Sequence, residues 1–160
     1  MTIAETTSLL ESYATRGVFR GFAVSAASAQ RASYRITWHR DRVFELSVDA
    51  GRGTIRLPSV LPAVSAEMFR ELKAWVDGRM SEEVPEHRRI HPGRVTVRLS
   101  RQKSGAPAIA ITSLDGDLEY AVRKLIALVH EIYLEFLHDG RYYEWLIETF
   151  DLDPDYVQFT

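Results

Sequence analysis

Residues 34–48, YRITWHRDRVFELSV, carry the pattern on which the fold prediction rests. Apolar and polar residues alternate on both sides of a polar turn at 39–42. Successive side chains of a β-strand point to opposite faces, so this pattern is typical of two antiparallel strands that each bury one face. A second turn at 49–53, followed by Ile55 and Leu57, extends the segment to a meander of three or four strands.

The same alternation returns at 95–111, where a turn near Gly105 predicts a β-hairpin. Apolar residues spaced three to four positions apart predict the helices. The predicted helices are residues 3–16, a helix that follows Ser65 and ends near Gly78, a long helix from Asp115 or Asp117 to about His138, and a short helix after Gly140. Each strand has one polar face, so the antiparallel sheet should be covered on one face only, by these helices. The prediction is a single α+β domain over residues 1–160, in the order α-β-β-β(-β)-α-β-β-α-α.

Composition agrees with one folded domain. The chain has 160 residues, of which 46 % are hydrophobic and 26 % charged, a balance that argues against disorder. No apolar run approaches the roughly 20 residues of a membrane-spanning helix, and the first residues lack the pattern of a signal peptide. The absence of cysteine excludes disulfides, thiol catalysis and thiolate metal sites. We expect a cytoplasmic protein that does not associate with membranes.

The net charge of −2 conceals an uneven distribution of charge. Residues 16–56 contain eight arginines and three acidic residues, whereas residues 113–160 contain three basic and eleven acidic residues. A basic segment can mark a nucleic-acid-binding surface, but such a split more often reflects complementary elements that pack together or meet across a dimer. Nucleic acid is therefore not the expected partner, and both packing arrangements stay open.

Basic side chains also fall on the polar faces of the predicted strands. These are Arg35, Arg56, Arg94 and Arg98. Arginines beside aromatic rings could bind a nucleic-acid strand. The aromatic residues of these strands have the opposite parity, however, and Glu45 and Asp49 offer cross-strand partners. A charged, solvated outer face is the favoured interpretation.

Two groups of residues have the spacing of metal ligands or of an acid–base pair. His87 and His91 are four apart, as in a helical metal site, but Pro92 disfavours helical geometry at His91. Glu131, Glu135 and His138 would share one face of the long helix, where they could bind a divalent metal or share a proton. We favour a solvated loop for the first group and a solvated charged face for the second. His130 is expected to be partly buried.

Sequence motifs of catalysis are missing. The chain has no G-x-S-x-G, Walker A or G-x-G-x-x-G motif, and Gly51-Arg52-Gly53 fits a hairpin turn better than a phosphate loop. The sequence therefore predicts no catalytic residue, no metal site and no cofactor, and a protein that is not an enzyme.

Aromatic residues are concentrated in the last twenty positions, where they form a candidate partner-binding surface. Its members are Tyr142, Tyr143, Trp145, Tyr156 and Phe159. A helix of about ten residues cannot bury apolar groups on several sides in a small monomer. Either this segment folds back over the core or it contributes to an interface, and the two alternatives stay open.

The segment Leu57-Pro58-Ser59-Val60-Leu61-Pro62, ahead of the helix that follows Ser65, resembles the strand-to-helix passage of the YbjN family and the related type III secretion chaperone-like fold. Val84-Pro85 before the strand Arg94–Arg98 is similar as well, and so is Glu131-Ile132-Tyr133 in the long helix. The resemblance covers roughly residues 5–138.

This resemblance implies a non-catalytic module, because the secretion chaperones dimerise and hold a partner chain in extended form. We expect a homodimeric protein-binding or chaperone-like regulatory module that recognises an extended segment through a sheet edge and adjacent apolar grooves. The alternative is a small-molecule or nucleotide-binding regulatory domain that uses a pocket between the sheet and the long helix.

Overall fold

Six strands and four α-helices make up the part of the chain that the structure, a computed structural model, describes, residues 1–153. The helices are α1 (Ile3–Thr15), α2 (Ala66–Gly78), α3 (Leu118–Glu131) and α4 (Tyr143–Phe150). The strands are β1 (Gly21–Ala27), β2 (Arg31–Thr37), β3 (Val43–Asp49), β4 (Thr54–Leu57), β5 (Val95–Arg101) and β6 (Pro107–Ser113). A 3-10 turn at His39–Asp41 links β2 to β3, and a π-helical segment, Ile132–His138, continues α3.

All neighbouring strands are antiparallel, in the order β1-β2-β3-β4-β6-β5. Strands β1 to β4 form a meander, and the β5–β6 hairpin joins it through β6. The predicted α+β fold, with a meander plus a hairpin, is confirmed in its four-strand form. Strands β1 and β5 are the two outer strands of the sheet.

One face of the sheet is buried and the other is open. Tyr34 lies opposite Leu46 and Ile36 opposite Phe44, and all four side chains are buried. Helix α3 packs against β4 and β6, and α1 contacts β1. The alternate side chains of the strands, such as that of Arg35, point away from this core. We call the sheet surface that carries them the open face.

Side-chain caps fix where the helices begin. The Ser65 hydroxyl accepts a hydrogen bond from the Met68 amide at 3.1 Å, as predicted for the start of α2. The Asp117 carboxylate accepts one from the Tyr120 amide at 3.1 Å, so α3 begins at Leu118. The predicted long helix does extend to His138, but it changes from α- to π-helical geometry after Glu131. None of the helices within residues 1–153 is long and apolar enough to cross a membrane.

Candidate functional site

The outer edge of β1 is an exposed strand edge without charged side chains. Among residues 1–153, strand β1 pairs with β2 and with no strand on its other side. The stretch from 21 to 30, GFAVSAASAQ, contains no charged residue and no proline. Its residues 23–27 are exposed, and Val24 is 45 % exposed. Natural proteins usually protect such an edge with charged side chains or proline, because it can pair with a strand of another chain. Apart from a bulge between Val24 and Ala26, β1 lacks this protection.

The inner side of β1 is held firmly by the core. Phe22 stacks on Tyr34 with ring centroids 5.6 Å apart, and Phe22 itself stays half-buried. The buried Tyr34 hydroxyl shares a hydrogen bond of 2.8 Å with Thr7 of α1. Burial raises the pKa of Tyr34, so its phenol stays neutral. The β1 edge is therefore a fixed strand beside a partly open apolar surface formed by Phe22.

The opposite edge of the sheet, β5, differs from β1 in charge. Arg98 and Arg101 both lie on β5. The Arg101 guanidinium donates two hydrogen bonds, of 3.1 and 2.9 Å, to the Val64 carbonyl of the segment before α2. These charged side chains protect the β5 edge against pairing with a strand of another chain. Strand β1 has no such charged side chains.

Glu131 and Glu135 lie together, but two arginines neutralise them. Arg79 contacts Glu131 at 2.5 Å and Glu135 at 3.5 Å, and Arg88 contacts both carboxylates. We call these four residues the ion-pair cluster. His138 lies outside it and pairs with Asp139 at 2.9 Å.

The prediction of a solvated charged face is wrong for Glu131, whose side chain is only 13 % exposed. The partly buried carboxylate is tolerated because a guanidinium compensates its charge. Within residues 1–153, no three His, Cys, Asp or Glu side chains lie close enough together to hold a metal ion.

The two histidines of the 87–91 segment lie in a loop, as expected, rather than on a helix. His87 is exposed, and the His91 Nε2 lies 2.9 Å from Glu86. The prediction for His130 is wrong, because its side chain is exposed on α3.

His39 is a perturbed residue that sequence reasoning missed. Its ring stacks on Tyr133, with centroids 4.4 Å apart and an interplanar angle of 5°. Its Nε2 is buried without a hydrogen-bond partner among the described residues. Burial lowers the pKa of His39 to about 3, and the nearby charges of His130 and Arg40 act in the same direction. A histidine in a turn carries no sequence signal of burial, because the covering ring of Tyr133 comes from a distant segment.

Tyr133 joins the turn to the proline-containing segment before α2. Its hydroxyl donates a hydrogen bond of 2.8 Å to the Val60 carbonyl and accepts one of 3.3 Å from Arg42. Burial raises the pKa of Tyr133. Its hydrogen bonds go to groups of the fold itself, so His39 and Tyr133 support the structure around the turn.

The four arginines assigned to polar strand faces have different partners. Arg35 pairs with Glu45 across β2 and β3 at 3.2 Å, as expected. Arg94 lies just before β5 and pairs with Asp115 and Asp117 at 2.8 and 2.7 Å. A hydrogen bond from the Arg94 Nε lowers the pKa of Asp115 to about 2. The remaining two, Arg56 and Arg98, line a concavity of about 480 Å³ on the open face.

The C-terminal aromatic residues that the structure describes are half-buried against their own chain. Tyr142 stacks on Phe136 with centroids 5.3 Å apart, Tyr143 meets His138 edge-on at 5.5 Å, and Trp145 meets Phe150 at 6.2 Å. A groove of about 280 Å³ on the outer side of α4 is lined by Tyr143, Glu144, Ile147 and Glu148. We call it the α4 groove. Tyr156 and Phe159 lie outside the described residues.

Buried side chains occupy the space between the sheet and α3. Leu125, Val129 and Ile111 are completely buried there. The open-face concavity and the α4 groove both lie elsewhere. The small-molecule pocket between the sheet and the long helix stays a prediction.

No family model, no curated protein and no solved structure matches this chain.

Proposed function

We propose that the protein is a non-catalytic, chaperone-like binding module that accepts an extended segment of a partner protein as an additional strand beside β1. The observation that carries the proposal is the exposed, uncharged outer edge of this strand. A cytoplasmic location fits the cysteine-free sequence. The proposal agrees with the resemblance to the YbjN family and the secretion chaperones.

Strand addition would draw its affinity from the main chain and its selectivity from alternate side chains. Side chains of the added segment that point toward the helices would contact Phe22 and the side of α1. Those that point toward the open face would lie beside the small side chain of Ala23, which pairs with Arg35. We therefore expect a segment with an apolar, β-branched or aromatic residue at every second position and small or polar residues between.

The surroundings of the ionisable groups support a binding role over catalysis. The two carboxylates that could act as an acid–base pair are neutralised by Arg79 and Arg88. His39 has a pKa of about 3, far below the range in which a histidine exchanges protons at neutral pH.

We also propose that the protein is a homodimer and that the α4 groove is its interface. This interface leaves the β1 edge free to bind a partner segment. Tyr143 and Ile147 form the apolar part of this groove, and both are half-buried. A twofold contact would place this surface against the same surface of a second copy.

Site-specific cross-linking tests the binding role. A photo-reactive benzoyl-phenylalanine is placed at Val24 in the full chain, which is then irradiated in lysate of the native host. The matched control carries the same group at Leu114, which is also an exposed apolar residue, 55 % exposed, but lies after β6. We expect one protein to be cross-linked from position 24 and not from position 114, with the cross-link mapping to a short alternating segment.

Equal cross-linking from both positions would indicate non-specific adhesion and contradict the proposal. Cross-links from position 24 that scatter over many unrelated sequences would contradict it too.

A further inference from the structure

Arg56 and Arg98 stand in one row across the open face, on either side of Ala110. In the sheet register both residues pair with Ala110 of β6. Neighbouring strands lie about 4.8 Å apart, so the two arginine backbones are roughly 10 Å apart with only a methyl group between them. Two long side chains at this separation can converge above the alanine. We call this arrangement the arginine cradle.

Hydroxyl groups border the cradle on both sides. The row on one side holds Thr54, Thr112 and Thr96, and the hydroxyls of Thr54 and Thr112 share a hydrogen bond of 2.9 Å. On the other side, Ser100 lies opposite Ala108. These residues and the two arginines line the concavity of about 480 Å³. Sites for small molecules usually measure about 300–1,000 Å³.

Arg56 and Arg98 carry positive charge without an ion-pair partner in the part of the chain that the structure describes. Over residues 1–153, neither the Arg56 nor the Arg98 side chain has a hydrogen bond or an ion pair. The other half of the open face is different, because Arg35 pairs with Glu45 and Arg31 pairs with Asp49 at 3.3 Å. The two guanidinium groups lie beside Ala110 and the neighbouring hydroxyl groups. Together they attract an anion to this part of the open face.

We propose that the arginine cradle binds the diphosphate group of a small organic phosphate. A guanidinium group matches phosphate oxygens with two parallel hydrogen bonds, and two of them can bind two linked phosphates. Threonine and serine hydroxyls supply further donors. Of the residues that the structure describes, no aromatic one lines the concavity. The site therefore recognises the diphosphate and not a stacked base, and it lacks the aromatic surface on which single-stranded nucleic acids stack.

Isothermal titration calorimetry of the full chain with pyrophosphate, at low ionic strength, tests this proposal. Each of Arg56→Gln and Arg98→Gln should weaken binding about tenfold or more, since each removes a charge-assisted hydrogen-bonding group. Arg35→Gln is the matched control. It removes an arginine from the same face that already has a carboxylate partner, and it should change the affinity less than about threefold. Thermal melting checks that each variant is folded.

A second variant tests the site without removing either arginine. Ala110→Glu places a carboxylate between the two guanidinium groups and should abolish pyrophosphate binding. ATP and GDP should bind within about threefold of pyrophosphate, because the base makes little contact. The proposal is overturned if pyrophosphate does not bind to the wild type, or if Arg35→Gln weakens binding as much as Arg56→Gln. It is also overturned if a uridine oligonucleotide binds more tightly than pyrophosphate and is insensitive to Ala110→Glu.

Discussion

Arg79 and Glu131 leave only 12 % and 13 % of their side chains exposed, so their charges depend on each other. Arg79→Gln would leave the Glu131 and Glu135 carboxylates to share Arg88, whose Nε lies 3.6 Å from Glu131. Because a buried carboxylate that loses its closest cation is costly, we expect this variant to lower the free energy of unfolding by about 3 kcal/mol in urea denaturation. Arg141→Gln removes a 62 % exposed partner of Glu67 and Glu71 and should cost less than about 1 kcal/mol. Equal losses in the two variants would contradict the assigned burial of the cluster.

His39 makes stability depend on pH in a defined direction. Its pKa in the folded chain is about 3, below the ordinary 6.5, so only the unfolded chain binds this proton readily. Its contribution is complete above about pH 6.5 and is lost as the pH falls toward 3. His39→Phe keeps a ring on Tyr133 and removes the titrating group. Between pH 7 and pH 5, the wild type should lose about 1–2 kcal/mol more than this variant in urea unfolding.

The comparison isolates His39, because the other four histidines are present in both proteins. If the two proteins lose the same stability over this pH range, His39 is not held neutral by burial.

The surroundings of individual side chains were the feature that the sequence predicted least well. The helical spacing correctly brought Glu131 and Glu135 to one face, but the arginines that neutralise them come from the end of α2 and from the loop after it. The burial of His39 depends likewise on Tyr133, which is distant in the chain. Local patterns specify which face a residue occupies and not which distant side chain covers it.

The central strands could be predicted directly from the alternation of apolar and polar residues, whereas β1 could not. Residues 34–48 alternate because their two faces meet core and solvent. Residues 23–27 are exposed on both faces, so burial imposes no alternation on them. Strand β1 is defined by its pairing with β2. The same exposure that hid this strand from sequence reasoning makes its edge available to a partner.

Helix α4 carries the prediction about dimerisation. Ile147 lies in the α4 groove between Glu144 and Glu148. Ile147→Lys would replace one of the two apolar side chains of the groove with a charge that can pair with Glu144, three residues before it, so the fold should tolerate the change. We expect light scattering to give the mass of a dimer for the wild type and of a monomer for Ile147→Lys.

Leu114→Lys, which removes an exposed apolar residue from another surface, should leave the dimer intact. A monomeric wild type would contradict the dimer, and a dimeric Ile147→Lys variant would exclude the α4 groove as its interface.

Across the molecule, acidic residues of the segment 113–160 pair with arginines that lie between α2 and β5. The ion-pair cluster joins the end of α3 and the π-helical segment to the loop after α2, and Arg94 binds the two acids before α3. These pairs form within one chain, whereas Arg20, Arg31 and Arg35 of residues 16–56 pair with acids of their own segment. The strand order could not be predicted from the sequence. The alternation of apolar and polar residues does not show which strand of the hairpin, β5 or β6, pairs with β4.

Strand addition at β1 is tested most directly by hydrogen exchange of the full chain, with and without a synthetic peptide of the segment cross-linked to Val24. Strand addition predicts slower exchange of backbone amides within Gly21–Ala27, because strand pairing gives them new acceptors. It also predicts that Val24→Lys, which protects the edge with a charge, removes this effect while the protein stays folded. Protection at α4 or α2 with unchanged exchange in β1 would contradict strand addition.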